Sequence, residues 1–183
     1  MTSAALPAAA ASVPRYRIGL TITAMDQLQL RPMTVAEFET YQARLVPGYA
    51  AEHVRAGDWT ADEAEALAAG QVNDLLPAGP DSPGMLLLMA STSEGEPVGL
   101  VWVALDRPCP GEAWIYDIEV NPEHQGKGYG RALLHAAEQQ AARHGSKAIG
   151  LNVFGTNTVA RRLYESSGYQ ITSMNMRKEL GAT

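Results

Sequence analysis

The residues whose types and spacing could do chemistry concentrate between positions 113 and 169. A strand-like run, AWIYDIEV, carries two acids, Asp117 and Glu119. It is followed by a glycine-rich turn, QGKGYG, and a helix-like run beginning at Tyr129. Glycines in a strand-to-helix turn let an anion approach the backbone closely. The amides from Gln125 to Arg131 can converge on it at the helix N-terminus, where the dipole adds about half a positive charge. Lys127 and Arg131 add cations. The turn therefore points to a phosphate-bearing ligand. In a regular strand, residues two apart share a face, so Asp117 and Glu119 are placed to line one cleft beside that ligand.

The glycine spacing separates this turn from the better-known phosphate loops. A dinucleotide fingerprint needs G-x-G-x-x-G. Gly126 and Gly128 satisfy its first half, but the next required position is Arg131, and the region about 20 residues on, GSKAIGLN, lacks the expected acid. A Walker loop needs G-K-[ST] after an earlier glycine; Lys127 is followed by Gly128, and the earlier position is Asn121. A kinase glycine loop sits in a hairpin, whereas this turn enters a helix. What remains is Q-x-x-G-x-G, formed by Gln125, Gly128 and Gly130.

The surrounding elements follow from periodicity and punctuation. QLQLRPMT, from Gln27, reads as a first strand. A helical stretch follows over residues 34–57, broken near Pro47-Gly48 and opened by a capping box of Thr34 and Glu37. Thr60 and Glu63 repeat the device ahead of a second helix. MLLLMAS and PVGLVWVAL form a hairpin around TSEGE, and AWIYDIEV is a fourth strand, Ala113 to Val120. Tyr129 to His144 is helical, with Gly145 placed to stop it. KAIGLNVF is a fifth strand, NTVARRLYESSG a short helix, and YQITSM and NMRKEL late strands. Only some strands are joined by helices, which predicts a mixed sheet.

Composition bounds the function class. With 183 residues, 46 % hydrophobic and 19 % charged, the chain reads as one folded domain over residues 14–183 behind a flexible tail at 1–13. The N-terminal stretch lacks a signal peptide's basic start, and no run approaches the roughly 20 apolar residues of a membrane helix, so the expected location is the cytoplasm. A net charge of −6 argues against nucleic acid as the main partner. The single cysteine, Cys109, excludes an intramolecular disulfide and sits in a Pro/Gly-rich loop with no partnering base pattern. His124 and His135 have no third ligand in phase, so no metal is expected.

The motif QGKGYG, preceded by V-x-P-E in VNPEHQ, resembles the cofactor motif of the GCN5-related N-acetyltransferase (GNAT) superfamily. A second match lies in NTVARRLYESSGY, where Asn157, Ala160, Tyr164 and Gly168-Tyr169 fit the family pattern. The resemblance covers about residues 113–180 strongly and 27–106 weakly. It implies an α/β (α+β) fold: one mixed, mostly antiparallel sheet of six to seven strands flanked by about four helices, with the fourth and fifth strands splayed. It also implies acetyl-CoA, or a related acyl-CoA, as donor. Ile118, Glu119 and Val120 would lie along the pantetheine arm, which Asn157 would also bond. Gln125, Gly126, Lys127, Gly128, Tyr129, Gly130 and Arg131 would hold the pyrophosphate, and Ala160 and Tyr164 would complete the donor site.

The implied reaction is direct attack by an amine in a ternary complex. An alkylamine with a pKa near 10 must first lose a proton, and Glu119 or Asp117 is placed to take it. The family's acid also occurs at other strand positions, here held by Trp114 and Tyr116, so the base is left open between the two carboxylates. Tyr164, by the same resemblance, protonates or hydrogen-bonds the departing thiolate, and a backbone amide near Val120 serves as oxyanion donor. The acceptor is a small-molecule, protein or peptide amine. Acids at Glu37, Glu39, Glu52, Asp58, Asp62, Glu63 and Glu65, against Arg44 and Arg55, suit a cationic acceptor, and a solvated helix face explains them equally. The alternative is a non-catalytic acyl-CoA-binding or regulatory module of the same fold. The late strands offer an edge for homodimer pairing.

Overall fold

The computed structural model describes residues 28–176 and 178, so the expected tail at 1–13 and the domain start at 14 lie outside the described residues. One five-stranded sheet runs in the order β1 (Gln29–Pro32), β2 (Met85–Ser91), β3 (Pro97–Leu105), β4 (Glu112–Val120), β5 (Ala148–Leu151). The first three pairings are antiparallel and the last, β4 with β5, is parallel. This is the mixed sheet expected, with fewer strands than six to seven. The segment YQITSM forms no strand, and NMRKEL lies partly outside the described residues. Ile171, Met174 and Met176 are accordingly exposed.

Helices cover both faces. α1 (Val35–Ala56) and α2 (Ala61–Leu75) lie on one side; α3 (Tyr129–Arg143) and α4 (Thr158–Ser166) lie on the other. Under α1 and α2, Phe38, Tyr41 and Val72 pack against Leu87, Leu100 and Trp102. On the opposite face Leu133, Leu134, Ala137 and Tyr164 pack on Val101, Val103, Ala113 and Ile115. The alternation along β3 therefore sends Leu100, Trp102 and Ala104 to one core and Val101 and Val103 to the other. Ala50, Ala64 and Ala68 let α1 and α2 approach closely.

Two local expectations change. α1 is continuous through Pro47. Proline removes one ladder bond, at a cost of about 3 kcal/mol. Buried Tyr41 and Ala50 on either side anchor the helix to its neighbours, while Pro47 and Gly48 themselves face solvent. The capping box at Thr34 forms as expected, with Glu37 Oε2 accepting from the Thr34 amide at 2.9 Å. The one at Thr60 does not. There the hydroxyl donates to the Glu63 carboxylate at 3.0 Å and caps no amide. No helix among the described residues is long and apolar enough to cross a membrane.

Candidate active site

β4 holds the two acids, and its backbone decides where they point. Trp102 pairs with Asp117 and Val103 with Ile115, leaving Tyr116 without a β3 partner. This bulge shifts the alternation by one residue. Before it, Ala113 and Ile115 enter the α3 core; after it, Ile118 and Val120 do. Asp117 and Glu119 thereby turn to the α1 side, which an unbroken strand would have denied them.

Two residues of α1, one turn apart, receive those acids. The Tyr41 hydroxyl donates to Asp117 Oδ2 at 2.8 Å. Arg44 forms an ion pair with Glu119 and lies over the Tyr41 ring, 5.4 Å from its centroid. Burial, then the neighbouring Glu119 charge, pushes the Asp117 carboxyl up to about 6, although the bonds from Tyr41 and the Ile118 amide pull it down. Burial, with Asp117 next, raises the Tyr41 phenol well above its ordinary range. Tyr41 and Arg44 were not among the sequence-derived site residues. Tyr41 lies in the stripe Phe38, Tyr41, Leu45, which has the spacing of a core face, and Arg44 entered only as a counter-charge to the acids of the helices.

β4 and β5 pair only over Glu112–Ile115 and Ala148–Leu151. From Tyr116 to Val120, β4 runs on without a β5 partner, and the two strands part. A cleft of about 510 Å³ opens there, lined by Asp117, Ile118 and Glu119 from β4 and by Asn157, Ala160 and Tyr164 at α4. Asn157 Oδ1 accepts from the Ala160 amide at 3.1 Å and so caps α4, while its Nδ2 has no acceptor among the described residues. The buried Tyr164 ring sits 5.8 Å from that of Tyr169. Burial, followed by the Asp117 charge, raises the Tyr164 phenol, so it stays protonated at neutral pH.

The glycine turn closes one end of β4. The Gln125 side chain donates to the Val120 carbonyl at 3.0 Å, which holds the turn against the strand. Gly126 and Gly128 have φ of 72° and 90°, and a Cβ on either would meet nothing within 4 Å, so the loop is open to a ligand's close approach. Gly128 is the N-cap of α3 and offers no side-chain cap, which leaves the Tyr129 and Gly130 amides to another acceptor. Of the amides expected to converge there, those of Gln125 and Arg131 already donate to the Pro122 and Gly128 carbonyls at 3.2 and 3.1 Å. Gly130 serves differently: its Cβ would come 3.3 Å from Leu163, so it lets α3 and α4 touch. Tyr129 begins α3 with its ring 5.2 Å from His124. Lys127 is exposed and makes no ion pair among the described residues. Arg131 is occupied, donating to the Ser166 hydroxyl at 2.7 Å and to Ser167 Oγ at 3.1 Å. These features fit an extended thioester carrying a pyrophosphate: an open strand edge, amides at a helix start, and a hydroxyl at the junction.

The family model for the acetyltransferase (GNAT) family matches residues 50–169. This chain belongs to the GNAT acetyltransferase family. The uncharacterized N-acetyltransferase YycN of Bacillus subtilis is 36% identical over 154 residues, covering 84% of this chain and 99% of the relative. Its crystal structure matches with a TM-score of 0.80 over 85% of this chain and 100% of that one. The mycothiol acetyltransferase of Kytococcus sedentarius is 29% identical over 83% of this chain and 48% of its own length. The PaiA N-acetyltransferase of Thermoplasma acidophilum, solved in complex with coenzyme A, shares the fold at a TM-score of 0.57 and 17% identity, covering 81% of this chain and 93% of that one. The described residues contain no group of three or more His, Cys, Asp or Glu that could hold a metal.

Proposed function

We propose that this GNAT chain moves an acetyl group from acetyl-CoA to a primary amine by direct attack in a ternary complex. The observation that carries the reading is the shared cleft, lined by Asp117 from the bulged strand and Tyr164 from α4 where β4 and β5 part. The donor's pyrophosphate rests on the amides from Gly126 to Gly130, between the engaged amides of Gln125 and Arg131, with Lys127 beside it. Its pantetheine arm runs along Ile118 to Val120 and meets Asn157.

Asp117 is the better of the two candidate bases. A carboxyl that titrates at about 6 is half-matched to a proton acceptor working near neutrality, and Glu119 is already held by Arg44. Asp117 takes the amine proton, directly or through one water. The amine nitrogen then bonds to the acetyl carbon and the carbon–sulfur bond breaks. Negative charge on the carbonyl oxygen falls near the Val120 amide, and Tyr164 gives its proton to the leaving sulfur. The surplus proton on the newly acylated nitrogen returns to the Tyr164 oxygen, leaving a neutral amide and the free thiol. Holding both reactants in one cleft supplies much of the acceleration. Cys109 takes no part. It is exposed, outside the cleft, and its thiol is pushed up chiefly by the hydrogen bond to Glu112.

The test is thiol release from acetyl-CoA across a panel of primary amines, with mass spectrometry of the product. Tyr164→Phe is expected to lower kcat by about 10²-fold while leaving acetyl-CoA binding within about twofold. Full activity in that variant would remove Tyr164 from the acid role. Tight CoA binding with no turnover on any amine would favour the binding-module alternative.

A further inference from the structure

A second cavity, of about 400 Å³, lies between α1, α2 and the sheet. Its walls are Leu45, Tyr49, Val72, Leu75, Trp102 and Tyr116. Leu45, Tyr49 and Tyr116 also line the reaction cleft, so the two spaces adjoin across these side chains. Tyr116 is the bulge residue, next in sequence to Asp117, and its half-exposed ring stacks on Trp102 with centroids 4.7 Å apart and planes 29° apart. The Trp102 N–H is already used on Met85 Sδ at 3.4 Å, and Tyr49 donates to Gln71 at 3.0 Å. The pocket therefore offers ring faces and aliphatic carbon, with Gln71 and Asp74 completing its lining.

Of the acids on α1 and α2, Asp74 alone lines this pocket. Glu37 is held by Arg31, Glu52 by Arg55 and Asp58 by His53, while Glu63 accepts from Thr60. Of the seven acids counted in this region, only Glu52 lines the reaction cleft. A polycation would find most of its counter-charges occupied or remote.

Resting on the N-acetyltransferase reading above, we propose that this pocket is the acceptor's body site. It selects a free small-molecule monoamine whose primary amine is linked by a short chain to a flat apolar group. That group stacks in the pocket while the amine reaches Asp117. The volume suits a small ligand, and apolar pockets of this kind discriminate about 10- to 200-fold between acceptors that fill them and those that do not.

The experiment measures kcat/KM with acetyl-CoA for phenethylamine, ethylamine, spermidine and peptides with different first residues. Phenethylamine is expected to exceed ethylamine and spermidine by at least about tenfold. Leu75→Trp, which fills the pocket, and Tyr116→Ala, which removes the stacking ring at an exposed position, should each shrink that ratio to within about threefold. Equal rates for ethylamine or spermidine would overturn the body site while leaving the acetyltransferase intact. So would faster transfer to peptide N-termini regardless of their first residue, or an unchanged ratio in both variants. No CoA release with any amine would overturn the acetyltransferase reading and the body site together.

Discussion

Asp117→Asn tests the electrostatics of the cleft without any acceptor. The carboxyl sits at about 6 against an ordinary 3.8, so the folded chain holds its proton more tightly than the unfolded chain does. Stability linked to this group is therefore fully present below the unfolded value and is lost as pH rises towards the folded one. A gap of about two pH units corresponds to about 3 kcal/mol, of which roughly 2–3 kcal/mol falls between pH 4 and pH 8. Asparagine keeps an oxygen for the Tyr41 hydroxyl and removes the titration. The unfolding free energy of Asp117→Asn, measured in urea, should therefore gain on the parent by about 2–3 kcal/mol as pH is raised from 4 to 8.

The causes of the shift can be separated in the same assay. Glu119→Gln removes the second-largest cause and should move the Asp117 titration down, shrinking that gain. Tyr41→Phe removes a bond that favours the charged form and should move it up, enlarging the gain. A stability difference that stays flat between pH 4 and 8, or shifts of the wrong sign in either background, would refute burial and like charge as the origin of the perturbation. If Asp117 is also the base, kcat/KM should rise through about pH 6, and that limb should vanish in the asparagine variant.

Three further outcomes are expected. Gly99→Ala would place a Cβ 2.0 Å from the Glu119 carbonyl oxygen, so β3 and β4 must part; a loss of about 1–3 kcal/mol should appear in chemical unfolding. Gly128→Val forces a branched side chain into φ 90°, at a cost of about 1–2 kcal/mol or more, and should weaken CoA binding by calorimetry more than it lowers Tm. Arg44→Ala releases Glu119 and removes a cation from beside Asp117, so the Asp117 carboxyl should titrate higher still, as carboxyl NMR would show.

Most of the fold was legible because its signals are local. The Thr34 box, the glycine turn and the hydrophobic runs of β2 and β3 each determine structure within a few residues, and all appear where the sequence places them. The departures are places where distant packing overrides a local signal. Pro47 reads as a break, yet anchors on both sides carry α1 through it. YQITSM has strand-like composition, yet among the described residues it pairs with no strand and the outer edge of β5 stays open.

The site divides the same way. Gln125, the three glycines and Asn157 act through backbone geometry, and motif spacing found them. The partners of the acids were not legible, because Tyr41 and Arg44 reach Asp117 and Glu119 across about 75 residues of sequence. The alternation rule put Asp117 and Glu119 on one face, but it could not say which. The unpaired Tyr116 reverses the phase after Ile115. That single residue moves two carboxylates from the α3 core to the cleft and leaves its own ring at the mouth of the apolar pocket. Deleting Tyr116 should therefore leave both carboxylates where they are: without the bulge residue, Ile115, Asp117 and Ile118 alternate strictly and Asp117 still faces Trp102. The deletion variant is expected to fold and to keep its raised Asp117 titration while losing the ring beside the apolar pocket. An Asp117 carboxyl returned to the ordinary carboxylate range would show that the bulge, and not the register after it, sets the environment of the acid.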